Sequence, residues 1–182
     1  MAKERKLRGM AKRASYFVST ASGEYVYQGP LYAARPSGRI TLKQASILRW
    51  VMGLLILGLA VADGCLPIPE MNGVFYVLLP YVAGLICAAM LLWAVCRMGR
   101  GDEALREYVY ESTARALPVR TAASAICSAL TLLGEVVFLF RGGGSGTGVW
   151  VLTFFILSQG LIFCLSMLWF FVERAFVWEK QT

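Results

Sequence analysis

Histidine does not occur in this chain of 182 residues. Its absence removes the commonest general base near neutral pH and the commonest metal ligand. The five cysteines, Cys65, Cys87, Cys96, Cys127 and Cys164, form no C-x-x-C pair. All but Cys65 lie inside or at the ends of hydrophobic blocks, where a thiol is a small apolar filler, so a disulfide framework is not expected. The glycine-rich stretch 141–148 lacks the Lys-Ser/Thr pair of a phosphate-binding loop and follows no strand. It reads as a flexible tether. The basic segment 3–13 leads into no apolar core of roughly 7–15 residues, so a secretory signal is not expected and the chain should insert through its first span. No catalytic, nucleotide or metal motif is left, and no cofactor is expected.

What the chain has in excess is apolar residues. They make up 58% of it, against about 45–50% for an ordinary soluble domain. They gather into four blocks, 45–62, 74–96, 121–140 and 149–172. A helix of about 20 residues crosses a hydrocarbon core of ~30 Å, so each block is a candidate span. The expected fold is an all-α membrane protein. Its four transmembrane helices form an antiparallel bundle of two hairpins, with a cytoplasmic N-terminal segment and a cytoplasmic amphipathic helix between spans two and three. On this reading residues 1–43 are an N-terminal arm, basic and then tyrosine-rich, and residues 44–182 are the four-span domain.

The formal charge is +7. The 18 basic residues are distributed as a membrane topology requires, not as a nucleic-acid face would hold them: residues 1–49 carry 10, the first outer connection none, residues 97–120 carry 5, the next connection Arg141 alone, and the tail Arg174 and Lys180. This alternation follows the positive-inside rule and predicts both termini in the cytoplasm of a cell membrane. Trp50, Trp93, Trp150 and Trp169 stand near segment ends, as an aromatic belt would place them. Nucleic-acid binding is not expected.

Outside the spans the signals are weaker. Tyr25-Val26-Tyr27 and Leu31-Tyr32-Ala33 are short β-favouring runs around Gly29-Pro30, compatible with a small hairpin or with an extended aromatic segment at the headgroups. From Asp102, a possible N-cap, to the stop at Pro118 the chain reads as an amphipathic surface helix. Glu24-Tyr25-Val26-Tyr27 recurs as Glu107-Tyr108-Val109-Tyr110, but the flanking distances differ and coincidence is the preferred reading. Gly58 with Ala62 and Gly84 with Ala88 have the small-x-x-x-small spacing that lets helices approach closely.

The third block carries a polar stripe. Thr121, Ser124, Ser128, Thr131 and Glu135 fall within an arc of roughly 80° on a helix, so they must face other helices or water rather than lipid. Glu135 is the sharpest candidate, ~7–8 Å inside the outer end of its span. A carboxyl there is costly and is expected to be hydrogen-bonded to Thr131 or Thr153, or to trade a proton for a substrate, with Gln159 as a second contact. The candidate intramembrane polar site is therefore Glu135, Thr131, Ser128, Ser124, Thr153 and Gln159. Asp63 and Glu70 read as solvated outer-loop charges.

These features support a non-enzymatic assembly or accessory subunit, acting through helix packing and cytoplasmic contacts. Its partners would be the lipid bilayer and either further copies of itself or another membrane protein. The alternative is a small oligomeric proton- or cation-coupled transporter using Glu135.

Overall fold

The computed structural model describes residues 14–19, 23–36, 41–68, 70, 73–99, 104–144 and 146–181. The basic segment 1–13 and the proposed cap Asp102 lie outside them. Four helices are long and apolar enough to cross a membrane. They are α1 (Leu42–Gly64), α2 (Phe75–Met98), α4 (Leu117–Phe140) and α5 (Val149–Arg174). The short helix α3 (Glu107–Ser112) precedes α4. Each long helix packs on two neighbours, giving the ring α1–α2–α4–α5. Cross-helix contacts fix the antiparallel sense. Arg49 meets Glu173 near one end of the α1–α5 pair and Asp63 meets Gln159 towards the other.

Helix boundaries follow local chemistry that hydropathy alone does not register. α1 starts at Leu42 because Thr41 and Gln44 form a capping box: Thr41 Oγ1 accepts from the Gln44 amide at 3.3 Å, and Gln44 Oε1 accepts from the Thr41 amide at 3.0 Å. Pro118 does not stop a surface helix. It sits in the first turn of α4, where its missing N–H costs nothing. The expected amphipathic helix is accordingly cut down to α3 and a single 3-10 turn, Ala114–Ala116.

The all-α expectation describes the bundle and misses two small sheets at one end of it. Strands β1 (Phe17–Ser19) and β2 (Tyr25–Tyr27) pair antiparallel. Strand β3 (Leu31–Pro36) pairs with β4 (Leu105–Arg106) on one side and with β5 (Phe176–Gln181) on the other. The hairpin open at residues 25–33 is thus not formed within that stretch; each run finds a partner elsewhere. The repeated Glu-Tyr-Val-Tyr motif is a strand in its first copy and helix α3 in its second, which argues against duplication. Tyrosines knit this end together. Tyr32 stacks on Tyr110 with ring centroids 4.3 Å apart, and Tyr110 lies against Trp178. The Tyr27 hydroxyl donates to Pro30 O and accepts from the Glu107 amide. Burial pushes the Tyr27 phenol above its ordinary pKa.

At the opposite end the α4–α5 hairpin overhangs α1. Gln159 is level with Asp63, yet α5 begins ten residues earlier, at Val149, about 15 Å farther along its axis. The space above α1 is filled by the α1–α2 connection. Pro67 forbids a helix there and Ile68 enters a core with Val77, Phe138, Leu152 and Phe155. The glycine stretch is not a loose tether. Gly142 and Gly144 adopt positive φ, and the amides of Gly144 and Gly146 donate to the Glu70 carboxylate at 2.6 and 3.1 Å. Glu70 is exposed, as a loop charge is expected to be, and it also clamps the two connections together.

Candidate functional site

Buried polar side chains run along α4 from the level of the larger core at the sheet end towards this small core, where they form a polar layer. The stripe on α4 supplies Thr121, Ser124, Ser128, Thr131 and Glu135, and all five are buried inside the single chain. The stripe is therefore the seam of the bundle and not a face left open for another subunit. Ser124 Oγ and Ser166 Oγ share a hydrogen bond at 3.0 Å across the α4–α5 contact. Thr121 and Thr131 turn back onto their own helix, Thr131 donating to Cys127 O at 2.9 Å. Gly134, on the flank of the stripe, makes the close approach to α2. A Cβ there would lie 2.7 Å from Tyr76 O. Gly84 also faces α4, with Cys127 in contact distance, whereas nothing packs on Gly58.

Two carboxyls sit in this layer. Asp63 is in the last turn of α1 and only 4% exposed, so it is not the solvated loop charge expected from its place beside Gly64. Ser158 Oγ donates to Asp63 Oδ1, and Gln159 Nε2 donates to Oδ2 at 2.6 Å. Gln159 is thus a contact of Asp63, not of Glu135. Glu135 has no exposed surface, and neither of its oxygens has a hydrogen-bond partner. The expected bonds to Thr131 and Thr153 are not made; Thr153 is exposed and donates to Val149 O. Asp63 is near enough for the two carboxyls to interact electrostatically. Among the described residues, no Lys or Arg forms an ion pair with either.

A pocket of about 170 Å³ opens beside Asp63, walled by Leu66, Ile68, Val77, Tyr81 and Phe155. Tyr81 donates to Ala60 O at 2.6 Å, which holds its ring across the α1–α2 groove, 6.1 Å from the ring of Phe155. Ile68 arrives through the connection that Glu70 clamps, so the wall depends on that clamp.

The sheet end treats a buried acid differently. Glu173 on α5 accepts two hydrogen bonds from Arg49 on α1, at 2.6 and 2.9 Å, and a third from Trp169 Nε1 at 3.0 Å. Arg49 also lies over the Phe176 ring, the first residue of β5. Trp169 is completely buried here and belongs to no interfacial belt. Sequence reasoning missed Asp63 and the Arg49–Glu173 pair because each sits within two turns of a helix end, where a charge normally reaches water.

No protein-family model matches the chain, and no significant match is found to a curated protein or a solved structure. Among the described residues no group of three or more His, Cys, Asp or Glu could hold a metal ion.

Proposed function

We propose that this is a multi-pass protein of the cell membrane that acts without covalent chemistry, as an assembly or accessory subunit. One observation carries this reading. Segments far apart in the sequence, before α1, between α2 and α4, and after α5, fold together into a sheet, β4-β3-β5, on the end of the bundle. The basic residues concentrate in the same three segments, which supports a cytoplasmic location for that end and for both termini. The neighbouring hairpin presents Val18 and Val26, paired across β1 and β2 and both exposed, and β5 is an edge strand. A folded platform with an apolar face and an open strand edge suits contact with another protein. In this reading no cofactor and no nucleic acid takes part.

The test is native mass spectrometry of the full chain purified in mild detergent, beside the Val18→Lys/Val26→Lys variant. A stoichiometric membrane partner that the variant loses supports the proposal. A protein that is monomeric or purely homo-oligomeric, and unchanged in the variant, overturns it.

A second reading is favoured by Glu135. A fully buried carboxyl without a hydrogen-bond partner, near a second carboxyl, suits a small oligomeric carrier that couples movement to a proton or another cation. Glu135→Gln should then abolish cation- or pH-dependent binding while the chain stays folded.

A further inference from the structure

We propose that the pocket between α1, α2 and α5 binds a small organic cation of the alkylammonium class. Asp63 would supply the counter-charge and the rings of Tyr81 and Phe155 the aromatic wall. This site is independent of the sheet platform. It narrows the cation reading to a ligand class and rests on a different residue from Glu135.

The argument is one of chemistry against surroundings. Asp63 lines the pocket and is buried, with Ser158 and Gln159 as its donors. A carboxylate has about four lone-pair positions, so these two bonds leave capacity for a further donor. Both donors are neutral, and an ionised Asp63 therefore lacks an opposite charge among the described residues. A ligand entering here is favoured if it is positive.

The rest of the wall is mostly apolar and suits a strongly hydrated inorganic ion poorly. Leu66, Ile68, Val77, Tyr81 and Phe155 offer aliphatic and aromatic surface where a sodium ion needs oxygen ligands. An alkylammonium carries its charge on an apolar body, so it gains from aromatic faces as well as from the carboxylate. The volume, about 170 Å³, lies below the ~300–1,000 Å³ common for drug-sized ligands, which limits the ligand to a few heavy atoms.

The test compares choline with its uncharged carbon isostere 3,3-dimethyl-1-butanol, and with sodium chloride at matched ionic strength. Binding to the full chain in nanodiscs is read by isothermal titration. Choline should bind at least about tenfold more tightly than the isostere, because only the charge differs. Phe155→Leu should weaken choline by about threefold or more and leave the isostere within twofold. Asp63→Asn should remove the preference for choline. Should that variant fail to fold, the comparison on the unaltered chain still decides. Equal binding of choline and the isostere, or no choline binding, overturns the proposal. Sodium that displaces choline at equal concentration also overturns it, while leaving a cation-coupled role for Glu135 standing.

Discussion

Glu173 and the pair Asp63 and Glu135 are buried on opposite terms, some 15 residues apart along α5 when Glu173 is compared with Ser158, or about 22 Å. At the sheet end Glu173 has a guanidinium in bidentate contact, an indole N–H and an aromatic ring behind the cation. Nearer the other end Asp63 has two neutral donors and Glu135 has none. The same four helices thus contain one acid whose charge is fully answered and two whose charge is not. Burying a charge costs several kcal/mol unless it is paired. The paired acid needs no explanation beyond architecture: it ties α1 to α5 and, through Phe176, to the sheet. The unpaired ones persist against that cost, and this is the physical reason for placing a candidate site there.

The largest expected effect tests the paired side. Arg49→Met leaves Glu173 buried without its cation and should lower stability by about 3–5 kcal/mol. Adding Glu173→Leu should restore most of the loss, because an apolar pair of similar volume serves as well as a buried ion pair. Unfolding in mixed detergent micelles reads both. A harmless Arg49→Met would mean that water reaches Glu173, and the contrast between the two acids would collapse.

Replacing Glu135 probes the other side and has the opposite sign. Glu135→Leu removes a buried polar group that has no partner, and stability should rise by about 1–3 kcal/mol. Asp63→Leu should instead be destabilising, since Ser158 and Gln159 lose their acceptor. If Glu135→Leu destabilises as well, Glu135 has an interaction in the folded protein that makes the two acids alike.

How much of this was legible in the sequence depended on the range of the interaction. Hydropathy alone located the four long apolar helices to within a few residues, because that property is summed over some twenty positions. The stripe on α4 was readable from spacing, since helical geometry places residues 121, 124, 128, 131 and 135 on one side whatever lies opposite. What lies opposite was not readable. Asp63 stands next to Gly64 and looks like the start of a loop; only the overhang of the α4–α5 hairpin turns that position into an interior. Glu70 likewise finds its partners in Gly144 and Gly146, more than seventy residues away. The sheet β4-β3-β5 joins three stretches far apart in the sequence, one of them, β4, only two residues long, so the pairing could not be read from any one of them. Thr41 and Gln44 did carry a local signal, the capping box, that would have set the start of α1 at Leu42.

The smallest effect supplies the scale against which both acids are judged. Ser124 and Ser166 lie between them in height, on the α4–α5 contact, and share one neutral hydrogen bond. Such bonds between membrane helices average about 0.6 kcal/mol, because the separated helices also satisfy their hydroxyls. Ser124→Ala should therefore cost about that much in the same unfolding experiment. Ser166→Ala should add little to it, since the two substitutions remove one shared interaction. A loss of several kcal/mol would mean that close packing, not polarity, governs the seam, and the changes at Arg49 and Glu135 would then have to be reinterpreted as volume effects. A loss near the expected value leaves charge pairing as the property that separates Glu173 from Asp63 and Glu135.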